Sequence, residues 1–222
     1  MSHARSGTAT PPAYAYVLGD ALYVNLTSAC TLACVFCPKI RDGNWVVGGW
    51  DLKLDRPATA DEAWEQLQAV GLEGRPEVVF TGLGEPTRRL GVLLEVARRL
   101  KGAGVRRVRV DTDGLANLRE GRDVTPDLAA AGVDAVVVSL NAPDAATYAR
   151  LCPSRYGEAA WQGARDFIRA ALRHLAEVQA SFVAVPGLDR EACRREAEGL
   201  GAAFRWRPYD RVGRLREAGG EA

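Results

Sequence analysis

The stretch Leu22-Tyr23-Val24-Asn25-Leu26-Thr27-Ser28-Ala29-Cys30-Thr31-Leu32-Ala33-Cys34-Val35-Phe36-Cys37 joins an apolar, strand-like run to a turn that carries three cysteines. Thiolates spaced four and then three residues apart can wrap three corners of a cubane iron–sulfur cluster and leave the fourth iron to a small molecule. Two other chemistries compete. A zinc knuckle would use the Cys34/Cys37 pair, but a structural zinc site needs four Cys or His ligands, often as two separated pairs. The remaining candidates, Cys152, Cys193, His3 and His174, make no second pair. A disulfide couple would leave Cys30 over, and five cysteines in a chain of 222 residues do not suggest a secreted scaffold.

Working outward from this stretch, short β-rich runs alternate with amphipathic helical stretches, the pattern of a parallel sheet covered by helices. Strands are predicted over 22–27, 77–81, 106–111, 135–140, 179–185 and 203–207. Thr59 with Glu62 makes a capping box ahead of Ala60, Ala63, Trp64, Leu67 and Val70, with Gly71 as the stop. Leu90, Leu93, Leu94, Ala97 and Leu100 repeat the helical spacing, as do Trp161, Ala164, Ile168, Ala171, Leu172 and Leu175. Right-handed crossovers would curl these units into an α/β fold, a partial (β/α)6 TIM-like barrel in a single domain, with the site at the C-terminal strand ends. The expected boundaries are a flexible segment at 1–18, a core at 19–210 and a tail at 211–222. The stretch 38–57, with Trp45 and Trp50, is too long for an ordinary connection; it reads as a cover over the cysteines or as a packed tryptophan loop.

At 47% hydrophobic and 26% charged residues the chain can bury a substantial core and does not read as disordered. A net charge of +1 advertises no global field for nucleic acid, although the positive charge is almost wholly Arg, suited to planar contacts with phosphate or carboxylate. Residues 1–12 lack the apolar core of a signal peptide and no apolar run approaches a membrane span, so a cytoplasmic protein with no membrane partner is expected.

At the end of the second predicted strand stands Thr81-Gly82-Leu83-Gly84-Glu85-Pro86. Its glycines permit close backbone approach, and Glu85 can accept from an ammonium group. By itself the triplet Gly84-Glu85-Pro86 is explained equally by a turn ending in proline. Together with the cysteine turn one strand earlier, it resembles the radical S-adenosylmethionine (SAM) superfamily. The resemblance implies that Cys30, Cys34 and Cys37 hold a [4Fe–4S] cluster whose fourth iron is chelated by SAM. It also implies that Gly84 and Glu85 meet the methionyl amine and that Phe36 lies against adenine. Leu83 departs from the usual first glycine of this motif. The phrases Tyr23 to Thr27, Asp113 to Asn117, Ser139 to Pro143, Glu191 to Cys193 and Arg205 to Tyr209 resemble the TatD-associated radical SAM subfamily.

The other strand ends also carry hydrogen-bonding groups. Asp111, Thr112 and Asp113, then Ser139 and Asn141, suit ribose, and as readily suit helix caps and turns. The SAM contacts expected are therefore Phe36, Gly82, Gly84, Glu85, Asp113, Ser139 and Asn141. Val183 and Val185 read as core. Arg205 and Arg207 share a strand face and would meet an anionic substrate, the SAM carboxylate or solvent. Cys193 falls on an apolar helix stripe and reads as a buried small hydrophobe, and Cys152, before Pro153, reads as a structural thiol or as one that handles substrate. The implied reaction begins with an electron from a flavodoxin- or ferredoxin-type donor and yields a 5′-deoxyadenosyl radical that abstracts hydrogen from an unidentified small-molecule substrate. Alternatives are an activase or modifier of a protein or RNA partner, and a non-enzymatic iron–sulfur redox or sensor protein.

Overall fold

A computed structural model of the chain describes residues 12–209. The chain enters through a hairpin of β1 (Ala15–Leu18) and β2 (Ala21–Val24), turned at Gly19 with φ 62°. The connection beyond the cysteines holds a one-turn α1 (Pro38–Arg41) and the small ribbon of β3 (Val46–Val47) and β4 (Trp50–Asp51). Then follow α2 (Ala60–Val70), β5 (Val78–Phe80), a 3₁₀ turn (Pro86–Arg89), α3 (Leu90–Gly102) and β6 (Val108–Thr112). The second half continues with α4 (Ala116–Glu120), α5 (Thr125–Ala130), β7 (Ala135–Ser139), α6 (Ala145–Leu151) and α7 (Ala159–Ala171). It closes with β8 (Glu177–Val183), α8 (Arg190–Gly199) and β9 (Ala203–Arg207).

The main sheet runs β1-β2-β5-β6-β7-β8-β9. Only β1 and β2 pair antiparallel; β2 and β5 to β9 are parallel throughout. With β1 at one edge and β9 at the other the sheet is open, so the architecture is the expected α/β partial barrel of six parallel strands in one domain. Alternation along each strand separates two environments. Val108 and Val110 of β6, Val136 and Val138 of β7, and Ala180 and Phe182 of β8 are fully buried in one core with Leu67 of α2, Leu93 of α3 and Phe167 and Ile168 of α7. The intervening positions, Arg109 and Asp111, Ser139, and Ser181, form the concave face and are polar.

One expectation needs correction, and one open alternative is narrowed. The boundary at residue 18 falls inside the β1/β2 hairpin. Tyr14, Ala15 and Tyr16 are buried, and Gln66 Oε1 of α2 accepts from the amides of Tyr14 and Ala15, so the ordered core begins earlier. The stretch 38–57, read as a cover or a packed tryptophan loop, packs at the β1 edge through Val47 and Leu52 and does not cover the cysteines, while Trp50 stays 40% exposed. Trp50 Nε1 donates to Val17 O at 3.1 Å, and Leu52 and Val47 are buried against Tyr16 and Leu18 at the β1 edge. Of this stretch only Pro38 reaches the cavity described below. The expected flexible residues 1–11 and the tail at 211–222 lie outside the described residues. Among the described residues no helix is long and apolar enough to cross a membrane.

The predicted capping box is present: Thr59 Oγ1 accepts from Glu62 N at 3.2 Å while Glu62 Oε2 accepts from Thr59 N at 3.0 Å, and Arg56 pairs with Glu62. Thr59→Ala should cost about 1 kcal/mol, or about 2–4 °C in thermal denaturation for a chain of this size, whereas Thr59→Ser should leave the midpoint nearly unchanged.

Candidate active site at the strand ends

At the C-terminal ends of the parallel strands lies a cavity of about 150 Å³, partly open to solvent. The loop after β2 brings Cys30, Cys34, Phe36 and Cys37 to its wall. The segment after β5 brings Gly82, Gly84 and Glu85, the end of β6 brings Asp111 and Asp113, β7 and its exit bring Ser139 and Asn141, and β9 brings Arg207. Every residue named from sequence as a cluster ligand or SAM contact thus borders one space.

Glu85 is 2% exposed, and its carboxylate is already engaged by the protein. Thr87 N and Oγ1 donate to Oε1 at 2.9 and 2.6 Å, Thr112 Oγ1 donates to Oε1 at 2.8 Å, and Asp113 N donates to Oε2 at 2.7 Å. It caps the 3₁₀ turn and fastens that turn to the end of β6. Its own amide donates to Ala29 O at 2.9 Å, which fastens the turn to the cysteine loop as well. Gly84 is required by the same contact: a Cβ there would stand 1.8 Å from Thr27 O and 3.0 Å from Ala29 O. The residues that sequence reading missed, Thr87 and Asn25, belong to this framework. Asn25 Nδ2 donates to Ala13 O and Leu52 O at 3.2 and 3.0 Å, and a Cβ on Gly82 would meet Asn25 Oδ1 at 2.6 Å. A threonine directly after the Gly84-Glu85-Pro86 turn was the available signal for Thr87; a buried Asn just past a strand was that for Asn25.

The cysteine loop is also held from the other side. Ala33 N donates to Pro153 O and Val35 N to Leu151 O, at 2.8 and 2.9 Å, with a β-bridge between Leu32 and Ser154. This places Cys152 against Cys34, and Asn141 Nδ2 donates to Cys152 Sγ at 3.5 Å. Cys193 is fully buried on α8, as its stripe predicts. The contact with Cys152 and then burial raise the Cys34 thiol well above its usual range. Burial first, then Asp113 and Glu85, push Cys30 up to about 12, and burial raises Cys37. The metal-free thiols are therefore protonated, and iron must displace those protons on binding. Among the described residues no three His, Cys, Asp or Glu side chains converge as for a single metal ion. A cubane fits this spacing, since each thiolate takes a separate iron corner.

Several buried polar atoms at the cavity lack a hydrogen-bond partner: Asp113 Oδ2 and Asn141 Oδ1 as acceptors and Arg207 Nε as donor, while Asp111 Oδ1 meets Arg109 Nη1 at 3.2 Å as an ion pair. Buried polar atoms are normally paired, so such a concentration marks a place for a polar ligand. Asn141 holds φ 56°, a conformation that an Asn tolerates and that turns the chain at the cavity rim. Desolvation, and then the nearby Glu85 carboxylate, raise Asp113 well above the usual carboxylate range, so it can donate as well as accept. Val183 is core, as expected, and Val185 packs against it.

Residues 24–198 match the Radical SAM superfamily, and the chain belongs to it. Enzymes of this superfamily work with a [4Fe–4S] cluster and SAM, the pair for which the three thiols and the unfilled polar groups are suited. Among curated proteins, the chain is 36% identical over 136 residues to a probable dual-specificity RNA methyltransferase RlmN 1 of Opitutus terrae, covering 56% of this chain and 34% of that one. It is 30% identical over 152 residues to the GTP 3′,8-cyclase of Pelotomaculum thermopropionicum, covering 68% and 43%. It thus spans less than half the length of either. The fold is shared with a radical SAM methyltransferase from Sphaerobacter thermophilus (TM-score 0.60, 23% identity, 86% of this chain and 57% of that one). It is shared also with methylornithine synthase (TM-score 0.62, 16% identity, 85% and 53%).

Glu85→Ala should strand buried donors from Thr87, Thr112 and Asp113 and destabilise even the cluster-free protein by about 2–4 kcal/mol. Glu85→Gln, which keeps an acceptor, should lose less. Thermal denaturation of the apoprotein checks both; an unaltered midpoint in Glu85→Ala would show that the carboxylate does not organise the turn.

Proposed function

We propose that this chain is a radical SAM enzyme that holds a [4Fe–4S] cluster on Cys30, Cys34 and Cys37, binds SAM beside it, and acts on a small molecule. The reading is carried by the common cavity: three cysteines of one loop and polar groups with unfilled hydrogen-bonding capacity from three further strand ends border it. When bound and reduced by an external flavodoxin- or ferredoxin-type donor, the cofactor pair supplies cleavage of SAM to methionine and a 5′-deoxyadenosyl radical that takes hydrogen from substrate.

The protein's share is to bind, orient and exclude water. Glu85 Oε2 accepts one protein hydrogen bond and retains capacity for the methionyl ammonium. Gly84, with no side chain, keeps the backbone of the turn within reach of the same group. Asp113 Oδ2, Asn141 Oδ1 and the Ser139 hydroxyl supply ribose partners, and Phe36 offers adenine an apolar surface. At about 150 Å³ the cavity is smaller than the roughly 300–1,000 Å³ of a typical small-molecule site and is partly open to solvent. Leu83 in place of a glycine is compatible with a contact through the backbone.

The quoted phrases from Tyr23 to Tyr209 support assignment to the TatD-associated subfamily, which supplies no substrate. The two curated relatives point in different directions, one named for RNA and one for GTP. The small-molecule reading is favoured by the compact recess at the strand ends and by a net charge of +1, which offers no global field for nucleic acid. A cytoplasmic setting accords with the reducing conditions that such a cluster needs.

Anaerobic reconstitution with iron and sulfide, followed by reduction in the presence of SAM, should yield 5′-deoxyadenosine detectable by chromatography. Cys37→Ala and Cys30→Ser should each abolish both the cluster's visible absorbance and the product. A reducible cluster that binds SAM and gives no 5′-deoxyadenosine would sink the enzyme reading in favour of a redox or sensor protein.

A further inference from the structure

β9 has two faces. Phe204 and Trp206 pack toward the core and lie under Arg194 and Arg190 of α8, at 4.6 and 6.0 Å from ring centre to guanidinium. Arg205 and Arg207 therefore occupy the concave face, where Arg205 is level with Ser181 of β8 and Arg207 with Val183. Arg207 borders the cavity together with Asp111 of β6.

A third guanidinium, Arg109, stands on the same face and is balanced. Its Nη2 is 3.1 Å from Glu77 and its Nη1 3.2 Å from Asp111. Arg205 and Arg207 have no carboxylate within 4.0 Å among the described residues. Asp111 is the acidic group facing them, and it is shared with Arg109. Glu77 is likewise shared, between Arg109 and Arg107. Arg205 and Arg207, both part-buried, thus stand without a carboxylate of their own at salt-bridge distance. Burial lowers the Arg207 pKa, and Arg205 and Arg109 add to that effect. Three donors on this face are buried without a hydrogen-bond partner: Arg109 Nε, Arg207 Nε and the hydroxyl of the fully buried Ser181. Part-buried guanidinium groups with idle donors are suited to an anion whose oxygens can be met in a planar fork.

We infer that the concave face beneath the cavity is an oxyanion site, in which Arg205, Arg207 and the Ser181 hydroxyl bind a carboxylate or phosphate carried by the substrate. Two residues along a strand advance about 7 Å, so Arg205 lies one step deeper than Arg207. An oxyanion held there anchors a small molecule by its charged end and directs the remainder up to the cavity wall where the cysteines stand. That orientation rests on the proposed reading of the cavity; the oxyanion site itself does not.

The test is calorimetric titration of the cluster-loaded, SAM-saturated full chain with two probes, inorganic phosphate and succinate. Saturable binding of either is expected, weakened about tenfold, the equivalent of one charge-assisted hydrogen bond, in Arg205→Gln and in Arg207→Gln. Arg207→Lys, which keeps the charge and loses the fork, should fall between, and separates loss of the site from loss of the fold. Tighter phosphate binding assigns a phosphoryl substrate, and tighter succinate binding a carboxylate. Absence of saturable binding by both probes would overturn the inference. So would a loss of SAM affinity with unchanged probe affinity in the arginine variants, which would assign them to the methionyl carboxylate. Cluster-free Cys30→Ser should still bind the probe, so failure of the radical reading and failure of the oxyanion site are seen separately.

Discussion

The buried Glu85 carboxylate is the interaction on which the site depends. Removing a carboxylate from water costs several kcal/mol unless its oxygens are hydrogen-bonded, and here two hydroxyls and two amides supply four such bonds, three to Oε1 and one to Oε2. Those donors come from the 3₁₀ turn and from the end of β6, while the Glu85 amide binds Ala29 O. One residue therefore fixes the distance between the cysteine loop, the glycine turn and the third parallel strand end. Gly84 follows from it, because the turn lies on the backbone of residues 27–29 at a distance that no Cβ can share.

Much of this was legible in the chain. Apolar runs rich in Val at 78–80 and 135–139 and the Thr59/Glu62 capping box declared their elements because local pattern and tertiary role agree there. The first hairpin was not read, although Gly19-Asp20 between Ala15–Leu18 and Ala21–Val24 is a two-residue turn signal. The small polar residues ahead of it hid the strand. The stretch 38–57 was ambiguous because the residues it meets, Tyr16, Val17 and Leu18, belong to that same unread strand. Site residues could be named by type, but not the hydrogen bonds that occupy Glu85. Thr87 and Thr112 are distant in sequence from each other and carry no local mark of a shared acceptor.

The asymmetry of the sheet explains why the function gathers on one side. A parallel sheet is usually covered on both faces, and its strands then read as continuous apolar runs. Here helices cover the convex face with Val, Leu and Phe, whereas the concave face carries Arg109, Asp111, Ser139, Ser181, Arg205 and Arg207. An open sheet of six parallel strands can keep such residues solvated or ligand-bound at its mouth, where a closed barrel of this size would have to fill its interior.

The cysteine loop does not wait for metal to take shape. Its backbone is bonded to Leu151 and Pro153 on one side and to the Glu85 amide on the other, all through groups that a metal would not touch. In small zinc domains the energy of metal binding is the energy of folding; here an extended hydrophobic core and this backbone lacing hold the loop independently. What iron must overcome is instead the protonation of buried thiols, raised for Cys34 by its contact with Cys152 and for Cys30 by burial. Cys37, at the loop's outer end, stands half-exposed beside Lys39 and the first amides of α1, which offset part of the rise that burial causes.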